Sequence, residues 1–238
     1  MRTFAIAVSL RRRAALLLLT LAVCAGAAAQ NDVEYRMEIG AALGGNAALT
    51  DANSKLFGNM GLSGGGVLRF LLNPRMAIKT SLTYSQLGGK TANVSNYYPS
   101  DLTTSGSEQL EYTVDGGLVD LSAIYELNFL PYGYVQSYQG YHRLVPYIQL
   151  GIGVTYSDAG EAFAVNFPLG VGVKYKVGPR LNLGLEWRMH FTTSDKLEGL
   201  EAPLGITSAG FKNKDHYGLT FLTLTYDISP RCPDCNKD

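Results

Sequence analysis

From Leu181 to Phe191 the chain reads LNLGLEWRMHF, and every second residue is apolar: Leu181, Leu183, Leu185, Trp187, Met189 and Phe191 alternate with Asn182, Gly184, Glu186, Arg188 and His190. A period of two over such a length predicts a strand with one oily face and one polar face. The same period recurs in 35–43, 60–72, 76–84, 119–129, 146–156, 165–177 and 220–228. Eight segments of about nine or more residues each suit tilted strands that cross a bilayer. The connections alternate as well. Asn73-Pro74-Arg75 and Gly178-Pro179-Arg180 read as tight turns, whereas 46–58, 88–117 and 192–215 are long and polar. Short turns at one end and long loops at the other are expected of an outer-membrane barrel, whose even strand number returns the chain to its starting side. Superposing Pro74 on Pro179 also aligns Arg69 with Lys174, Phe70 with Tyr175 and Ile78 with Leu183, which predicts two hairpins of the same register.

Alternation alone does not say which face is inside, because a soluble lipocalin-type barrel has the same period around an oily cavity. The polar face decides. It is rich in small residues, including Gly40, Gly65, Gly151, Gly153, Gly170, Gly172 and Gly184, which suit the cramped interior of an eight-stranded barrel. Tyr35, Tyr84, Tyr156, Trp187 and Phe191 fall toward strand ends on the apolar face, as an aromatic girdle would. The reading is therefore an all-β chain forming an eight-stranded antiparallel transmembrane β-barrel of outer-membrane type, with lipid against its apolar face. Its lumen would hold a polar network of Arg36, Glu38, Arg69, Lys79, Asp120, Glu126, Lys174, Lys176, Glu186, Arg188 and His190, with Asp227. Buried charges must pair to offset their desolvation, so this near balance predicts a self-neutralised plug instead of a conducting pore.

The N-terminus agrees with export. Arg2 and Arg11 to Arg13 form a basic region, 14–25 an apolar one, and Ala27-Ala28-Ala29 a small-residue cleavage site, so residues 1–29 are expected to be a secretory signal. Reading Cys24 as a lipoprotein acylation site meets bulky Val23 where a small residue is usual. The domain expected to follow is a single barrel over 30–228, with a periplasmic tail over 229–238. Lys plus Arg and Asp plus Glu each number 20, so no basic field exists to attract nucleic acid. Charged residues make up only 17% of the chain against 27 Gly and 15 Tyr, a balance that favours strands and turns.

No cofactor or metal is expected. His142, His190 and His216 lack metal-ligand spacing, and the glycine pairs of 151–153 and 170–172 lie within strands without a phosphate-loop pattern. Asp195, Glu198 and Glu201 could hold calcium on a loop, but a solvated acidic surface is the favoured reading. Glu186 and His190 could in principle orient as carboxylate and base, but their parity assigns them to the filled lumen, so the chain is read as non-enzymatic.

Two features fall outside the barrel pattern. The connection PYGYVQSYQGYHR, 131–143, is long on the side where turns should be tight, and Tyr132, Tyr134, Tyr138, Tyr141 and Arg143 have the chemistry of interface hot spots. They are read either as partner contacts or as an aromatic collar on the headgroups. The tail SPRCPDCNKD holds Cys232 and Cys235, the two cysteines left after signal removal, which could close a local disulfide or form an intermolecular disulfide to a periplasmic partner. The Cys-x-x-Cys spacing without a thioredoxin-like fold is not a redox site.

The segments YELNFLPYG (125–133), LVPYIQLGIGVTY (144–156), FPLGVGVKYKVGPRLNLGLEWRMHFTTSDKLEGL (167–200) and KDHYGLTFLTLTYDI (214–228) resemble the PorG-like outer-membrane β-barrel family. That resemblance implies a non-enzymatic component of a type IX protein secretion and gliding apparatus. Its implied partner is a periplasmic lipoprotein or ring component anchored to the outer membrane. The competing expectation is a freestanding OmpA- or OmpX-like barrel with a structural or adhesive role.

Overall fold

The structure, a computed structural model, describes residues 35–49, 60–90, 113–134, 140–194, 197 and 214–230. Eight strands follow one another: β1 (Tyr35–Leu49), β2 (Gly61–Asn73), β3 (Met76–Lys90), β4 (Thr113–Asn128), β5 (Leu144–Ser157), β6 (Ala162–Lys176), β7 (Leu181–Thr192) and β8 (His216–Pro230). Each pairs with its neighbours in sequence order, and β8 returns to β1 to close a barrel. All eight pairings are antiparallel. Closure leaves no unpaired edge, the condition under which a sheet can sit in hydrocarbon.

The burial pattern is that of a soluble protein inverted. Leu43, Leu62, Ile152, Leu169, Leu185 and Leu222 lie at least half exposed on the outside, while Glu38, Lys79, Glu126 and Asp227 are completely buried within. Exposed aromatics form two belts on the outer face. Phe70, Phe129, Tyr175 and Tyr226 lie toward the end bearing the tight turns, and Tyr84, Phe163, Phe167 and Phe191 toward the other, with aliphatic residues between them. Such belts mark the two interfaces of a bilayer.

The strands reach beyond the alternating segments at the loop end. β1 continues through GGNAAL to pair Leu49 with His216, and β3 through SQLGGK to pair Lys90 with Thr113. Beyond the aromatic belt lipid no longer demands an oily face, so the ladder persists after the pattern stops. The β5–β6 connection, 158–161, is a tight turn at this otherwise long-looped end. The two Pro hairpins do share a register: Arg69 pairs with Lys79 and Phe70 with Ile78, as Lys174 pairs with Gly184 and Tyr175 with Leu183. β8 runs on to Pro230, two residues into the segment read as tail.

The lumen is not uniformly polar. Ala42, Val67, Leu87, Leu118, Leu219 and Phe221 pack with Tyr217 as a buried apolar cluster inside the loop-end half. On the outside, Met189 is buried despite its outward parity. It lies with Trp187 against Gly218, where an added Cβ would come 3.5 Å from the indole Nε1 and 3.7 Å from the Met189 sulfur.

Candidate functional site

In the turn-end half of the lumen, strands converge on Glu126, two residues from the end of β4. Arg69 on β2 donates through Nη2 to Glu126 Oε1 at 3.2 Å, its Nε lies 2.9 Å from Oε2, and it also bonds Glu38 on β1. Lys79 Nζ lies 2.9 Å and Lys174 Nζ 3.3 Å from the same carboxylate. Lys79 extends the network by donating at 2.7 Å to both Gln149 Oε1 and Glu186 Oε2. Glu186 further accepts from the Tyr147 hydroxyl at 2.7 Å and lies 3.6 Å from Arg188 Nε. Every carboxylate here therefore faces at least one cation, the condition under which a buried charge is tolerated.

The turn end is stopped by the connection between β4 and β5. Tyr132 N donates to Pro74 O at 2.9 Å and His142 N to Pro131 O at 2.8 Å, which turns the described ends of this connection, 129–134 and 140–143, back into the mouth. The Tyr132 hydroxyl donates to Asn182 Oδ1 at 2.8 Å. Asn182 and Lys176 in turn bond Asp227, at 2.6 and 2.5 Å. The Lys174 and Lys176 amines lie 5.0 and 5.2 Å from the Tyr132 ring centre, in cation–π range. Burial drives the Tyr132 phenol pKa well above its ordinary value, so it stays a proton donor. Arg143 staples the segment to β6 by donating to Lys176 O at 3.0 and 2.9 Å and to Val177 O at 2.9 Å, with its guanidinium over Tyr134 and Tyr175. A small cavity remains between Tyr132, Tyr141, Asn73 and Asp227.

Toward the loop end Asp120 is satisfied largely by neutral donors. Its Oδ2 accepts from Asn166 at 2.6 Å, Tyr217 at 3.0 Å and Thr155 at 3.1 Å, and its Oδ1 from Ser122 at 2.6 Å. His190 stacks on Tyr217 with ring centres 4.5 Å apart and its Nδ1 lies 3.1 Å from Asn166 Oδ1. Above this layer lies the apolar cluster. Beyond it Leu197 is buried over the opening, its N–H donating to Asp215 Oδ2 at 2.9 Å and its carbonyl accepting from Ser157.

Ten of the eleven residues read as a lumen network are buried in the lumen: Glu38, Arg69, Lys79, Asp120, Glu126, Lys174, Lys176, Glu186, Arg188 and His190. Arg36 is not among them. It shares their parity but is exposed at the first rung of β1, where the mouth opens to solvent. The Glu186–His190 pairing is also absent. Same-face positions four apart on a strand lie roughly 13 Å from one another, so Glu186 engages Lys79 while the carboxylate beside His190 is that of Asp120, at 3.7 Å. The partner surface read over 131–143 needs correction at two positions. Tyr132 and Tyr141 are buried in the mouth and offer neither a partner patch nor a headgroup collar, while Tyr134 is half-buried against Arg143. Tyr138, Cys232 and Cys235 lie outside the described residues, as do Asp195, Glu198 and Glu201. Tyr147, Gln149, Thr155, Asn166, Asn182 and Tyr217 complete the network although neutral. Five of them have no luminal role assigned from the sequence, where charge is the criterion, and strand parity is the signal that finds all but Tyr217, which lies before the alternating segment of β8.

Among the described strand residues, five buried cations (Arg69, Lys79, Lys174, Lys176, Arg188) face five luminal carboxylates (Glu38, Asp120, Glu126, Glu186, Asp227), and a sixth buried acid, Asp215, lies at the loop-end opening beneath Leu197 N. A closed eight-stranded barrel with a lipid-facing exterior, two aromatic belts and a neutral, filled interior is a transmembrane barrel of the bacterial outer membrane. The chain belongs to the outer membrane protein beta-barrel domain family, whose model matches residues 15–221. It is similar to the solved structure of Ail, the attachment invasion locus protein of Yersinia pestis, at 11% identity over 81% of this chain and 97% of that one, with a TM-score of 0.42. Neisserial surface protein A is similar at 15% identity over 82% of this chain and 98% of that one, with a TM-score of 0.42. OprG from Pseudomonas aeruginosa is similar at 9% identity over 84% and 99%, with a TM-score of 0.43. No curated protein matches the chain.

Proposed function

We propose that this protein is a sealed, non-enzymatic structural barrel that serves the outer membrane through its two ends and passes no solute through its middle. The observation that supports this reading is the lumen: five cations against five carboxylates, closed by Tyr132 at the turn end and Leu197 at the loop end. An aqueous channel needs an unfilled interior, and eight strands leave only enough room for side chains. The purified barrel in planar bilayers is expected to be electrically silent. Steady conductance comparable to a porin's overturns the proposal.

Short turns belong on the periplasmic side of such barrels and long loops outside. The turn end therefore faces the periplasm, as does the tail with Cys232 and Cys235, and residues 1–29 are removed on export. One observation favours a second, finer reading. The connection 129–143 is far longer than the two Pro turns beside it, and its described residues, 129–134 and 140–143, are held by backbone bonds and by Arg143, as the base of a platform for a periplasmic protein would be. On that reading, which accords with the PorG-like resemblance, the barrel anchors a periplasmic lipoprotein or ring component of a type IX secretion apparatus. A crosslinked pull-down from intact outer membranes separates the two: a recovered periplasmic lipoprotein supports the anchor, and its absence leaves the freestanding structural or adhesive barrel. A reducible higher-mass band that vanishes when Cys232 and Cys235 become Ser makes the tie covalent.

A further inference from the structure

We propose that Arg180, held between Tyr35 and Tyr226 on the outer face of the turn end, is a binding site for the phosphate of an anionic phospholipid. Arg180 ends the β6–β7 turn, and its carbonyl accepts from Asp227 N at 2.8 Å, which fixes it beside β8. Its Nε donates to the Tyr35 hydroxyl oxygen at 3.0 Å and its Nη1 to that of Tyr226 at 3.5 Å, while the guanidinium lies 5.2 Å from the Tyr35 ring centre. Each phenol oxygen accepts from the guanidinium, so each directs its own proton elsewhere. The cluster thus presents a fixed cation and two hydroxyl donors, and its polar chemistry is that of an oxyanion receptor. Among the described residues the electrostatic neighbours of Arg180 are these two tyrosines, and no carboxylate occupies the site.

The surroundings select a lipid over a free anion. Tyr226 pairs with Leu181 on β7 and Ile39 on β1, and Leu224 pairs with Leu183 one outward rung further along. These four aliphatic side chains are exposed on the lipid face beside the phenol, so an acyl chain has a track directly above the phosphate position. The charge of the rims is complementary in the same sense. Arg36, Arg75 and Arg180 are exposed at the turn end, whereas the exposed acids among the described residues, Asp115, Asp158 and Glu161, all lie at the loop end.

The test uses the full folded chain in nonionic detergent micelles, titrated with dioleoylphosphatidylglycerol or dioleoylphosphatidylcholine and read by native mass spectrometry. Phosphatidylglycerol adducts are expected to be retained about tenfold better than phosphatidylcholine adducts, and Arg180→Gln to abolish that preference. Tyr35→Phe with Tyr226→Phe keeps both rings and the cation, so it tests the hydroxyl donors in a barrel whose fold is checked by heat-modifiability. It is expected to weaken the preference severalfold. Arg75→Gln, elsewhere on the rim, is expected to leave it intact. Unchanged adducts in Arg180→Gln, or an equal loss in Arg75→Gln, overturn the built site. Displacement of the lipid by inorganic phosphate at equal concentration overturns the lipid assignment.

Discussion

The luminal network makes a quantitative prediction at Glu126. Replacing it with Gln keeps the shape but leaves five buried cations against four carboxylates, and turns an amide toward Arg69, Lys79 and Lys174, now 2.9 to 3.3 Å from the carboxylate oxygens. At an effective dielectric near 20, each contact of about 3 Å carries a gross Coulomb energy of about 5 kcal/mol. Removing the carboxylate also removes its own desolvation cost, so the net effect is far below the gross sum. Breaking a buried pair by deleting one partner costs about 3–5 kcal/mol, because the opposite charge stays buried and unpaired. Folded domains hold only about 5–15 kcal/mol in all. Glu126→Gln should therefore shift the urea midpoint of the barrel in lipid vesicles strongly downward, followed by the gel-mobility difference between folded and heated protein. Adding Lys174→Gln returns the count to four against four, and the double variant should be more stable than Glu126→Gln alone, with a coupling of about 0.5–3 kcal/mol. A Glu126→Gln barrel within about 1 kcal/mol of the parent, or a double variant whose losses simply add, would refute the argument that charge neutrality holds the lumen together.

Three further perturbations probe the faces separately. Leu185→Arg, at an outward position 54% exposed to lipid, should destabilise the barrel by about 2–4 kcal/mol in vesicles, and an unchanged urea midpoint would contradict the membrane assignment of that face. Gly172→Ala places a Cβ 2.4 Å from Cζ of the Tyr147 ring and should cost about 1–3 kcal/mol, whereas Gly66→Ala, with nothing within 4 Å, should stay within about 0.5 kcal/mol; equal effects in the same titration would show that the Tyr147 ring is not where the lumen packing requires it. Tyr132→Ala removes the turn-end stopper but leaves the Glu126 layer, so the barrel should remain silent in planar bilayers; conductance appearing in this variant alone would mean that the stopper is the sole seal.

How far the sequence could be read depends on what a period of two encodes. It encodes face, because lipid excludes charge from one side of every strand, and so Lys79, Glu126 and Arg188 could be assigned to the lumen from LNLGLEWRMHF and its counterparts. It does not encode depth. Arg36 has the parity of Glu38 but stands one rung too low, where the side chain is exposed at the mouth. Nor does it encode which charges meet. Lys79 on β3 reaches Glu186 on β7 across the bore, and Arg69 joins β1 to β4, contacts that exist only once the barrel has closed with its particular stagger. The tyrosines of 131–143 show a third limit. Composition told what they could do, stacking and donating, but the direction of the segment is set by Tyr132 N finding Pro74 O and by the Tyr132 hydroxyl finding Asn182. Tyr132 and Tyr141, whose chemistry would serve an interface, thus close a mouth, and any periplasmic partner must dock on the outer side of that plug, where Arg143 and Tyr134 remain partly accessible.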